Sequence, residues 1–378
     1  MRAIIFRKEL SSVKTIVVKT GSRILSSTGS DDRIRRLTED LVTLHQSGIR
    51  VVLVSSGAIV HGMQAMGMTD RPATIPLQQA CASVGQNRLM NRYQSFFEKH
   101  GVLIGQVLLT WDDLRSKKRY LNLRNTLFAL LDSKIIPIVN ENDSVGVEEI
   151  KFGTNDILGA QIAMLVQADV LINLTDVGGL FDRDPARDLS AKHIPVVSEI
   201  TATIQKMAAD RKNDISVGGM ISKLKAAEMV TRAGIYYFIG DGYHHRLLDI
   251  VSNEASNEPS GATLFLPSRR KMSSRHRWIA FSGNPQGTLI VDDGAQEALR
   301  EKGKSLLPAG IKNVTGSFKA GDNVEIKTLN GIAIGRGLVN YSSDEIRRIM
   351  GCKTSEIAAL LGSKEFDEVI HRDNLAVV

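Results

Sequence analysis

Short β-branched apolar runs alternate with longer amphipathic stretches over roughly the first 265 of 378 residues, and few folds accept that rhythm. The runs fall at Thr15–Val18, Val51–Val54, Leu103–Leu109, Ile135–Val139, Val170–Leu174 and Tyr236–Ile239. As a set they are largely apolar rather than alternating, which suits strands buried on both faces of a parallel sheet. Between the first two, Ile34, Leu37, Leu41 and Leu44 recur at helical spacing, so Asp31–Ser47 reads as a helix. Ser30 or Asp31 can cap its start and Gly48 its end. Further helices are expected at Leu77–Lys99, Arg119–Asp132, Ile157–Gln167 and Met220–Ala233. Strand–helix–strand repetition of this kind means an α/β fold: a three-layer αβα sandwich around a mostly parallel sheet, with right-handed crossovers.

The rhythm stops after Pro267. The connector SRRKMSSRHR is polar, basic and aperiodic, and beyond it short strands with glycine punctuation are expected at Thr288–Val291, Val324–Lys327 and Ile332–Val339. Two domains follow: a larger α/β one over 14–268 and a small β-barrel-like one over 275–378.

Composition narrows the function. The net charge of +7 invites a nucleic-acid reading, but the C-terminal module holds 14 basic and 13 acidic residues. Its near-neutrality argues against a phosphate-tracking surface. Three of the excess charges, Arg269, Arg270 and Lys271, sit together in the connector, where such a run reads as a solvated linker. No apolar run approaches the ~18 residues of a membrane span, and Ala3–Phe6 is too short for a signal-peptide core. The two cysteines, Cys81 and Cys352, lie far apart without metal-ligand spacing, so a reducing cytoplasm is the expected location.

In open α/β sheets ligands gather at the carboxyl ends of the strands. Five clusters stand there: KTGS from Lys19, SSGA from Ser55, NENDSV from Asn140 followed by KFGTND to Asp156, LTDVGGLFDRDP from Leu174, and SVGGMISK from Ser216 to Lys223. Together they offer glycine turns at helix N-termini, two lysines and several carboxylates. That is equipment for moving a phosphoryl group between anionic ligands, with Mg²⁺ on the nucleotide. A Walker GxxxxGK[ST] and a protein-kinase HRD…DFG set are both absent, and none of the eight histidines falls in these clusters.

These motifs, in this order, resemble the amino acid kinase family. The NEND cluster and the following K-x-G-x-N-D resemble the glutamate loop of one branch. VDDGAQEAL, SLLPAGI and VTGSFKAGD, between Trp278 and about Cys352, resemble the PUA domain appended to that branch in bacteria. The resemblance implies ATP-dependent phosphorylation of the L-glutamate γ-carboxylate to L-glutamyl 5-phosphate, the first step towards proline. It implies that Lys19 and Lys223 stabilise the transferring phosphoryl group and that Asp156 holds both lysines. Ser56, Asp143 and Asn155 would bind glutamate, with Asp143 the natural partner of its ammonium group. Lys19, Thr175, Asp176 and the run Val217, Gly218, Gly219, Met220, Ile221, Ser222, Lys223 would bind ATP. Members of the family usually read G-T-G-G-M where this chain has Ser216, Val217, Gly218, Gly219 and Met220, so one threonine hydroxyl is missing. Proline as feedback inhibitor and a homo-oligomer, often a tetramer, are also implied. The rival readings are relatives acting on aspartate, N-acetylglutamate, carbamate or UMP, and an RNA-binding protein acting through the PUA module.

Overall fold

The computed structural model describes residues 13–26, 29–146, 155–185, 187–188, 190–209, 219–251, 262–268, 279–280 and 285–377. The chain divides into two compact units, 1–271 and 272–378.

The larger unit is built on an eight-stranded sheet in the order β3-β4-β2-β1-β5-β9-β10-β8. Its strands are β1 (Thr15–Thr20), β2 (Arg50–Val54), β3 (Ile104–Leu109), β4 (Ile136–Glu141), β5 (Val170–Thr175), β8 (Val196–Val197), β9 (Tyr236–Asp241) and β10 (Ala262–Phe265). All neighbours run parallel except β9 and β10. β1, β4 and β5 are buried at every position, which requires cover on both faces. The sandwich and its mostly parallel sheet are as the sequence leads one to expect, but β3, expected to be buried on both faces, is an edge strand buried only at Leu109. β8, β10 and the small β6–β7 ladder (Leu180–Phe181 with His193–Ile194) carry too little periodicity to be read in advance.

The helices expected from periodicity form at Ser30–Gln46, Ile75–Phe97, Lys117–Asp132, Asn155–Leu165 and Met220–Arg232. One detail differs. The cap of the first is Gly29, at φ 78°, not Ser30 or Asp31. Arg92 explains the displacement: its guanidinium donates to the Ser30 hydroxyl at 3.2 Å and to the Asp31 carboxylate at 2.9 Å. Both side chains are drawn outward to a neighbouring helix instead of back onto their own. Gly48 closes the other end at φ 90°, donating its N–H to the His45 carbonyl.

The Ala58–Ala65 and Ile75–Phe97 helices cross at glycines. A Cβ on Gly62 would stand 1.8 Å from the Cys81 carbonyl oxygen, and one on Gly85 would stand 1.8 Å from that of Ala58. Only glycine admits so close an approach.

The smaller unit carries a mixed five-stranded sheet, β12-β11-β13-β14-β15. These are β11 (Gly287–Val291), β12 (Ile311–Gly316), β13 (Asn323–Thr328), β14 (Ala333–Leu338) and β15 (Leu375–Val377), with β11 and β13 parallel. Its core includes Leu289, Val324, Ile326, Ile346 and Ile370. Among the described residues no helix is long and apolar enough to cross a membrane.

Candidate active site

Lys19 lies near the carboxyl end of β1, where register sets it beside Asn173 of β5. The Asn155–Leu165 helix packs against β1, and Gly159 makes room for it, since a Cβ there would sit 3.3 Å from the Cβ of Lys19. The first turn of this helix carries Asp156, a favourable place for a carboxylate against the helix dipole.

Asp156 is nearly fully buried and collects four donors. Lys19 Nζ reaches Oδ1 at 2.7 Å and Asn173 Nδ2 reaches the same oxygen at 2.9 Å. Ser222 Oγ donates to Oδ2 at 2.5 Å and Lys223 Nζ stands 3.4 Å from it. Burial alone raises a carboxyl pKa, but the charges of Lys19 and Lys223 and the hydrogen bonds from Lys19 and Ser222 outweigh it and hold Asp156 well below its ordinary value. Lys223 moves down, first from burial and then from Lys19, with Asp156 opposing. Two buried lysines thus flank Asp156, with the charge of Asp176 also reaching Lys223, an arrangement suited to an anionic ligand. Lys223 also sits in the first turn of its helix, the wrong end for a cation, which strengthens its call for negative charge.

Beside this cluster, Asn155 Nδ2 donates to Ser56 Oγ at 2.6 Å and to the Ser55 carbonyl at 2.9 Å. Ser56 leads into the Ala58–Ala65 helix through Gly57, whose φ of 95° turns the chain at the end of β2. The structure therefore brings Lys19, Asn155, Asp156, Ser56, Ser222 and Lys223 to one rim.

Asp143 stands apart, in the wall of a cavity of about 320 Å³ together with Glu141 and Gln86. Burial, then the charge of Glu141, pushes its carboxyl up to about 7, with Arg71 opposing. Thr175 ends β5 and Asp176 follows it. Their side chains bond to each other at 3.0 Å, and Arg23 holds the Asp176 carboxylate at 2.7 Å. Gly219 is the extended cap of the Met220–Arg232 helix, Met220 is buried and Ile221 is exposed. Val217 and Gly218 lie outside the described residues. Ser222, expected on the nucleotide, places its hydroxyl against Asp156 and the Gly219 carbonyl.

Asn173 escaped the sequence reading. It is the one polar side chain interior to an otherwise apolar strand, and that signal could have found it. Its Nδ2 also donates to Tyr237 Oη at 2.9 Å.

A mostly parallel sheet with two buried lysines on one buried carboxylate near the carboxyl ends of its central strands defines an α/β protein with a candidate site for an anionic ligand. The particular lineage is plain from comparison: residues 14–241 match the amino acid kinase family, and the chain belongs to it. Residues 287–361 match the PUA domain. The chain is 47% identical to the glutamate 5-kinase of Syntrophus aciditrophicus, covering 98% of this chain and 95% of that protein. It is 45% identical to that of Syntrophotalea carbinolica, covering 98% and 99%. Against that of Pelobacter propionicus identity is 43%, with both chains covered in full.

Proposed function

We propose that the chain is a glutamate 5-kinase, transferring the γ-phosphoryl group of ATP to the γ-carboxylate of L-glutamate as the first step towards proline. The observation that carries this reading is Asp156 with its two buried lysines, one residue from the amide that meets Ser56. A phosphoryl-stabilising centre and an acceptor-binding amide are thereby adjacent in the chain and in space.

The acceptor needs no general base, because a carboxylate is already ionised at neutral pH. One of its oxygens forms the new bond to phosphorus while the bond from phosphorus to the ADP oxygen breaks. Lys19 and Lys223 meet the charge spread over the transferring oxygens, and Asp156 keeps both ammonium groups in place. Ser56, Asn155 and Asp143 hold glutamate. Thr175, Asp176 and the 217–223 segment hold the nucleotide. Among the described residues no three His, Cys, Asp or Glu side chains gather to hold a metal. Mg²⁺ would enter as a cation carried on the nucleotide phosphates, keeping most of its water. Proline inhibition, homo-oligomer assembly and a cytoplasmic location belong to the same reading.

The test is coupled ADP release across glutamate, aspartate, N-acetylglutamate and UMP, with a gel shift on total RNA alongside. Release with glutamate alone is expected. Release with another acceptor, or RNA binding without kinase activity, would overturn the proposal.

A further inference from the structure

The cavity beside Asp143 is walled by Ser83 and Gln86 of the Ile75–Phe97 helix, by Gln106 of β3, and by Glu141 and Asp143 at the end of β4. Gln86 is about nine-tenths buried. Its orientation is fixed by a relay of amides. The Ser55 carbonyl can only accept, so Asn155 must turn Nδ2 towards it. The same nitrogen stands 3.3 Å from Asn140 Oδ1, which leaves Asn140 Nδ2 to donate to Gln86 Oε1 at 2.9 Å. Gln86 therefore holds its oxygen towards Asn140 and keeps Nε2 as a free donor. Among the described residues that buried nitrogen has no hydrogen-bond partner, and neither has Asp143 Oδ1. A buried polar group without a partner costs free energy, and two of opposite kind in one cavity wall are complementary to a ligand bearing both an anion and a cation.

We propose that Gln86 is a specificity-determining residue of the acceptor site, donating from Nε2 to the α-carboxylate of the amino-acid substrate while Asp143 takes its ammonium group. This rests on the reading of glutamate as substrate and adds the contact that selects an α-amino acid over a simple carboxylate. Glutamate would span the rim with its γ-carboxylate towards Lys19 and Asn155 and its head group in the cavity. The raised affinity of Asp143 for a proton is what a buried carboxylate beside Glu141 shows before an ammonium group arrives. Asn140 is a positioning residue here, acting only through the amide it orients.

The experiment compares wild type, Gln86→Leu and Gln86→Glu on three acceptors: glutamate, 4-aminobutyrate (glutamate without its α-carboxylate) and glutarate (without its ammonium). Where turnover of an analogue is too slow, its inhibition constant against glutamate replaces kcat/KM. Leucine fills the space without a donor, so kcat/KM for glutamate should fall roughly 10–150-fold, the worth of one hydrogen bond to a charged group. The fall should lie in KM, with the ATP KM unchanged. Glutarate should lose as much as glutamate, and 4-aminobutyrate should lose little. Gln86→Glu keeps the acceptor towards Asn140 but sets a carboxylate against a carboxylate; it should weaken glutamate further without harming 4-aminobutyrate. It also stands as the readout if the leucine variant fails to fold. Equal losses on all three acceptors, or no loss on glutamate, would overturn the assignment. If wild type ignores glutamate and phosphorylates another acceptor, the functional reading itself fails, a different result from an active glutamate kinase indifferent to Gln86.

Discussion

Replacing Lys223 or Lys19 by alanine removes one of the two buried cations that flank Asp156. Either change should lower kcat about 10²–10³-fold, equivalent to about 2.7–4 kcal/mol, while moving the glutamate KM far less. A Lys223→Ala enzyme with wild-type kcat would remove that lysine from the mechanism. Asp156→Ala should act differently, because it strands two buried lysines; a loss of about 3–5 kcal/mol in chemical denaturation is expected on top of lost activity. Asp143 supplies a pH dependence. Its folded value of about 7 lies above the ordinary 3.8, so between those values the folded chain holds a proton that the unfolded chain has released. Its contribution to stability is greatest at the acid end of that window and falls as pH rises through about 7. An ammonium group needs the ionised form. The glutamate KM should therefore fall between about pH 6 and about pH 8, and the dependence should flatten in Asp143→Asn. A wild-type KM that is level across that range would sink the assignment. Asp156 has the opposite sign: held below 3.8, it stabilises above that value and loses the effect as pH falls further.

At the scale of elements, the crossing of the Ala58–Ala65 and Ile75–Phe97 helices decides where the cavity wall stands. Gly85 is the contact point and Gln86 the next residue, so the helix cannot move out without carrying the amide with it. Gly85→Ala forces a Cβ against backbone and should cost about 1–3 kcal/mol, with a raised glutamate KM. Gly219 offers the control. Among the described residues nothing stands within 4 Å of its Cβ position and its φ is −62°, so alanine there should shift the denaturation midpoint far less than at Gly85. Equal stability of the two variants would mean that the helices are free to separate.

The whole molecule is two units, each with a core of its own: Ile16, Leu53, Ile138 and Ile172 in one, Leu289, Val324 and Ile370 in the other. All the proposed chemical groups, from Lys19 to Lys223, belong to the first. A chain ending near Ser268 should fold and keep glutamate-dependent ADP release, with any change confined to proline sensitivity or assembly. A soluble, folded truncation without activity would show that the PUA unit is needed for the chemistry. Charge divides along the same line, since nearly all the excess lies before residue 275.

Most strands of the large sheet and its longer helices are legible in the sequence by itself, because apolar runs and 3.6-residue apolar periods report burial directly. The edge strand β3 is less buried than its apolar run implies, and the short β6, β7, β8 and β10 leave no such period. The sequence also marked Lys19, Ser56, Asn155, Asp156 and Lys223, which the structure brings together, because chemistry in such sheets sits at the strand ends. The strand order, the antiparallel β10, the capture of Ser30 and Asp31 by Arg92, and the partners of Asp156 arise from long-range packing. Lys19 and Asp156 are 137 residues apart, and Asn140 and Gln86 are 54 apart. A local pattern records which face a residue shows to solvent; it holds no record of which distant amide that face will meet. Gln86 in particular is one of several polar residues along an amphipathic helix, and nothing in its neighbours marks it. Its meaning comes from a backbone carbonyl at Ser55, passed through two asparagines that topology alone sets in line.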